Sequence, residues 1–117
     1  MTLTRTIHRS QGGDRVFGAR LMVISDFALD ASNYWTFTLM HRRIVDGVLQ
    51  TYGELVGEAY TTQTRSLTAG VPVTIYEDAV GRPMQEGELL VLTIISTGSP
   101  SVPDDARIVP DIRPNAR

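Results

Sequence analysis

His8 and His41 are the two imidazoles in this chain of 117 residues. No H-x-H or H-E-x-x-H spacing sets either beside a second ligand, and a metal centre in a small β domain draws on several histidines. His41, at the end of an aromatic stretch, is expected to be a rim histidine packed near Tyr52. Cysteine is absent, which removes disulfides, thiolate metal sites and a cysteine nucleophile. The adjacent carboxylates Glu77-Asp78 and Asp104-Asp105 lie in turn-forming stretches. Neighbours on an extended segment point apart, so neither pair makes an acid/base couple. Gly98-Ser99-Pro100-Ser101 lacks the second glycine of a nucleophile elbow, and Gly12-Gly13 lacks the lysine of a phosphate loop. The expectation is no catalytic residue, no metal and no cofactor.

Arginine is the other group with chemistry to offer. All eleven basic residues are arginine and none is lysine. A GC-rich genome produces this bias. Arginine also suits interfaces, because its planar fork binds carboxylates in pairs and stacks on aromatic rings. Arg5, His8, Arg9 and Arg15 group near the N-terminus, Arg42-Arg43 at a strand end, and Arg113 and Arg117 at the C-terminus. These eight are the candidate partner-interface residues. Tyr34 and Tyr76, on the outer faces of strands, are a second candidate patch, for sugar or protein.

The elements that must position these groups read as strands. Glu88–Thr97 is the longest apolar run, apolar on both faces, and belongs in the middle of a packed sheet. Tyr34–His41 alternates cleanly, with Trp35, Phe37 and Leu39 facing inward. In Val16–Ser25, Phe17, Ala19, Leu21 and Val23 share a face. Asp46-Gly47 is the best hairpin signal, since a type I′ turn needs positive φ at both positions. The returning segment Val48–Tyr52 would set Tyr52 opposite His41. Gly53 and Gly57 weaken any helix over Gly53–Thr64, so an irregular extended segment is expected. Tyr60–Arg65 reads as an exposed edge. Val71, Val73 and Ile75 form an inward row, Glu77–Arg82 a turn, and Arg107–Ile112 a last edge strand containing Pro110.

Seven or eight short strands without a helix predict an all-β protein, an antiparallel β-sandwich or jelly-roll-like barrel. Residues 1–15 are expected as an N-terminal arm, 16–112 as the sandwich domain, and 113–117 as a C-terminal tail. With 42% hydrophobic and 21% charged residues, the composition is that of an ordinary globular domain. A net charge of −2 gives no field favouring nucleic acid or an anionic membrane. No apolar run is long enough for a membrane-spanning helix, and the first residues lack the apolar stretch of a signal peptide. A small core without disulfide or metal favours assembly.

Trp35-Thr-Phe-Thr-Leu39, then Leu67-Thr-Ala-Gly-Val-Pro-Val73, then Glu86-Gly-Glu-Leu-Leu-Val-Leu92 and Thr97-Gly-Ser-Pro100 occur in an order that resembles the capsid decoration (cement) proteins of tailed bacteriophages. The resemblance spans about residues 16–109. Glu88 stands where that pattern more usually has aspartate. It implies a non-enzymatic β-sandwich on the capsid exterior, made in the host cytoplasm. Its partners would be the major capsid protein and further copies of itself, with a trimer favoured. No nucleic-acid or membrane partner is implied. The alternative is a carbohydrate- or receptor-binding sandwich of a phage tail or cell surface.

Overall fold

The computed structural model describes residues 2–99 and 106–113. Those residues form nine strands and no helix: β1 (Thr2–Arg9), β2 (Arg15–Met22), β3 (Tyr34–Arg42), β4 (Ile44–Val45), β5 (Val48–Leu49), β6 (Glu54–Thr61), β7 (Val73–Pro83), β8 (Leu89–Thr97) and β9 (Arg107–Arg113). One sheet has the order β1-β8-β3-β6 and the other β7-β2-β9, while β4 and β5 make a separate hairpin. Every pairing is antiparallel. The fold is the expected all-β sandwich.

Alternation places the core. Trp35, Phe37 and Leu39 of β3, with Leu90, Leu92 and Ile94 of β8, form the inner face of the four-stranded sheet. They share one buried cluster with Val16, Ala19 and Leu21 of β2, Ile75 of β7 and Ile108 of β9. The run that begins at Glu88 is central, with β1 on one side and β3 on the other. At a second edge, β6 closes on β7. Gly57 makes this possible: it has φ +72°, and a Cβ there would stand 2.3 Å from the Ile75 carbonyl oxygen.

The structure departs from the sequence reading at several places. Residues 2–9, expected in an arm, are a sheet strand; its pairing with β8 runs from Thr2↔Ile95 to Arg9↔Leu89. Leu3 and Ile7 pack on the core. In β2 the buried residues are Val16, Ala19 and Leu21, with Val23 buried just beyond it, and Phe17 is half-exposed. The register shift between Val16 and Gly18 inserts an extra residue and reverses the alternation there. Glu77–Arg82 is not a turn between strands but a wide bulge inside β7: Gly18 pairs with Glu77 and Val16 with Arg82. The Asp78 carboxylate accepts the Val80 and Gly81 N–H groups within it. Val71 precedes β7 and is exposed rather than part of an inward row. Tyr60, expected on an exposed edge, is buried, and its hydroxyl donates to the Ser66 carbonyl.

The Asp46-Gly47 turn forms as expected, with φ of 52° and 79°. Its strands are short, pairing Ile44 with Leu49 and Val45 with Val48. His41 therefore faces Glu54 of β6, not Tyr52. Arg113 ends β9; the tail beyond it, with Arg117, lies outside the described residues, as do Asp104 and Asp105.

Candidate functional site

The buried polar groups gather at one end of the sandwich. Of the five buried polar or charged side chains among the described residues, Ser10, Asp14, His41 and Glu88 are linked there, and only Thr62 lies apart. The main chain ties the group together. Ser10 N–H donates to the Glu88 carbonyl at 2.9 Å, Gly87 N–H donates to the Ser10 carbonyl at 2.9 Å, and Met84 N–H donates to the Asp14 carbonyl at 3.1 Å. The turn after β1 and the turn before β8 thus brace each other.

Glu88 is the centre of the first cluster. Its Oε1 accepts from Gln85 N at 3.0 Å and lies 2.8 Å from His41 Nε2, and its Oε2 accepts from Ile44 N at 2.8 Å. Burial pushes this carboxyl up, but the hydrogen bonds from Gln85, Ile44 and His41 outweigh it, and its pKa falls below the ordinary value. His41 continues the chain. Arg82 Nε donates to His41 Nδ1 at 2.8 Å. Because a guanidinium can only donate, Nδ1 carries no proton, so Nε2–H is the donor to Glu88. Burial lowers the His41 pKa; Glu88 opposes the shift, and Arg82 and Arg43 add to it. His41 is therefore a neutral, tautomer-locked bridge, only 2% exposed, rather than a rim histidine beside Tyr52. Outward, Arg82 pairs with Glu54, which also meets Arg43 at 3.3 Å.

The second cluster contains a serine, an aspartate and a histidine. Ser10 Oγ donates to Asp14 Oδ1, and Asp14 Oδ2 lies 2.6 Å from His8 Nε2. A nucleophilic triad needs the imidazole between serine and carboxylate, where it can take the hydroxyl proton. Here the carboxylate is in the middle, and the serine is buried. Burial raises the Asp14 pKa, but its bonds to Ser10 and His8 hold it below the ordinary value. With Gly12 N–H donating to Ser10 Oγ at 3.1 Å, the cluster pins the glycine turn.

The eight candidate interface residues do not form one patch. Arg9 and Arg42 flank Leu89 on the outer face of the four-stranded sheet, while Arg43 pairs with Glu54. Arg42 Nε donates to the Gln50 carbonyl at 2.7 Å and braces the hairpin. Arg5 and Arg15 are committed to backbone carbonyls, of Ala106 at 2.7 Å and Gly81 at 3.1 Å. His8 holds Asp14. Arg113 stacks on Phe17, its guanidinium carbon 4.2 Å from the ring centre, and pairs with Asp111 on the other sheet.

Two surfaces were not singled out in the sequence. The β4–β5 hairpin bears exposed Val45 and Val48, with Tyr52 just beyond it 88% exposed. Its base is anchored, through Ile44 N to Glu88 and Gln50 N to the Arg43 carbonyl. The other surface is the outer face of the β1-β8-β3-β6 sheet. Tyr76 is half-buried between two shallow grooves of about 340 Å³ each. Its hydroxyl donates to Asp78 at 2.8 Å, and burial plus that carboxylate push its pKa up to about 12. It holds its own proton rather than acting as a base. No group of three or more His, Asp or Glu side chains among the described residues could hold a metal ion. No described helix is long and apolar enough to cross a membrane. No known protein family, curated protein or solved structure matches the chain.

Proposed function

We propose that this chain is a non-enzymatic structural protein of a virus particle, a capsid decoration protein that binds neighbouring major capsid subunits from the capsid exterior and works as a homo-oligomer. The observation that carries the reading is the hairpin. Val45, Val48 and Tyr52 project apolar surface into solvent, on a support held at its base by Ile44 N–H to Glu88 and by Arg42 to the Gln50 carbonyl. Exposed aromatic and aliphatic side chains beside arginine are the composition of a protein interface. Buried His41 and Glu88, with both imidazole nitrogens and both carboxylate oxygens occupied, act as bracing beneath that hairpin. Many weak contacts of this kind, repeated by capsid symmetry, attach firmly through multivalency.

Particles released by cells carrying the gene are purified and analysed by mass spectrometry and electron microscopy. The expected result is the protein at regular positions on the head. Val48→Asp and Tyr52→Ser, each leaving the fold intact, are expected to reduce its copy number per particle. A protein absent from particles, or retained at full occupancy by both variants, would overturn the reading.

A further inference from the structure

The two outer faces of the sandwich differ in charge. On the three-stranded sheet the outer positions include Arg15, Arg20, Arg107, Asp111 and Arg113. On the four-stranded sheet the paired rows are Thr2/Ile95/Thr36/Thr61, Thr4/Thr93/Thr38 and Thr6/Val91/Met40/Leu55. None of those side chains is charged. The charges paired into this face, Arg9 and Arg42, sit together at one end, beyond the last of these rows, and exposed Glu58 lies at the β6 edge, in the irregularity opposite Thr38. Ile95 and Leu55 are 40% and 53% exposed. Charge-poor and partly apolar is the character of an interface core, not of a solvated sheet face.

We infer that this threonine-rich face binds the same face of a second copy, the two sheets packing face to face across a two-fold axis. The argument for a second copy is self-complementarity and area. A threonine hydroxyl both donates and accepts, and its methyl packs against methyl, so this surface can satisfy itself without a partner of matching charge. With the strands of the two copies antiparallel, the Arg9/Arg42 pairs fall at opposite ends and do not confront each other. At roughly 4.8 Å between strands and about 3.3 Å per residue, the face together with its Arg9/Arg42 end measures roughly 19 by 27 Å. That is about 1,000 Å² over two copies, the lower bound for a specific interface. The contact is isologous and closes at two; a threefold ring needs two different surfaces. The inference does not rest on the capsid reading, since it concerns the free protein.

The test is the solution mass of the full chain, by light scattering on a sizing column over a concentration series. The expected mass is twice 12.9 kDa. Thr93→Arg places a charge at the centre of the face and is expected to halve the mass while leaving the circular dichroism spectrum unchanged. Ile95→Glu, at a more exposed position, supplies the same reading should Thr93→Arg fail to fold. Arg20→Glu on the opposite face is expected to leave the dimer intact. A wild-type monomer at every concentration, a trimer, or a dimer that survives both face variants would each overturn the inference. The monomer result would assign the face to a different partner, and the trimer result would leave the capsid reading standing.

Discussion

Arg82 Nε donates to His41 Nδ1 across 2.8 Å, and this one bond fixes the protonation state of a histidine that is 2% exposed. A second proton on His41 would oppose N–H to N–H and place a positive ring against a guanidinium. The His41 pKa is lowered from 6.5, so below about that pH the unfolded chain takes up a proton that the folded chain refuses. Stability is then full above that value and declines as pH falls beneath it. Glu88 and Asp14, lowered from 4.5 and 3.8, add a second loss of the same sign at lower pH. Urea midpoints measured from pH 8 to pH 3 should fall in two stages. His41→Gln should remove the first stage and keep the second; a single carboxylate stage in the wild type would contradict the assignment.

Glu88→Gln tests the other end of the same chain. The carboxylate accepts from Gln85, Ile44 and His41. An amide supplies one oxygen and turns two N–H groups toward donors. One buried donor is left unsatisfied, a cost of about 1–3 kcal/mol. Glu88→Ala leaves all three unsatisfied, at about 1–3 kcal/mol each, and is expected to lose more than Glu88→Gln. Denaturant unfolding with unchanged m-values checks both. Near-equal stability of Glu88→Gln and wild type would show that the charge is dispensable.

Much of this fold was legible because alternation is a strong signal where one face is dry. Trp35, Phe37 and Leu39 declared β3, and the run after Glu88 declared a central strand. β1 was hidden because its outer row is Thr2, Thr4 and Thr6, while its inner row includes Arg5 and His8, both occupied by polar partners. An edge strand needs little apolar pattern when its neighbour supplies it. The bulge at Val16–Gly18 was equally silent, since one inserted residue exchanges Phe17 and Val16 without altering composition. Glu88 read only as the first residue of the run Glu88–Thr97. That it meets His41, 47 positions away, is a fact of sheet order, and no local spacing reports it.

Ser10 should be chemically inert. Its hydroxyl proton is committed to Asp14, and no imidazole is placed to remove it. A fluorophosphonate probe is expected to leave Ser10 unlabelled in the folded protein, as judged by peptide mass spectrometry. Ser10→Ala is expected to destabilise the fold by about 1–2 kcal/mol, because Asp14 loses a partner in a buried turn. A stable covalent adduct on Ser10 would reopen a hydrolytic role.

Gly57 and Gly70 separate backbone strain from close packing. Both have positive φ, +72° and +74°. A side chain at either position meets the left-handed penalty of about 1–2 kcal/mol. At Gly70 a Cβ would have nothing within 4 Å, so Gly70→Ala should cost that penalty and no more. At Gly57 it would stand 2.3 Å from the Ile75 carbonyl and 3.0 Å from Tyr76 Cβ, where β6 meets β7. Those neighbours are backbone and a half-buried side chain, so relief requires the two sheets to part along this edge. Gly57→Ala should therefore lose at least about 2 kcal/mol more than Gly70→Ala, within the range that overpacking of a core produces. Faster hydrogen exchange should be confined to β6 and β7 in that variant. Equal losses for the two substitutions would mean that β6 and β7 are not in contact at Gly57, and that the sandwich is open along this edge.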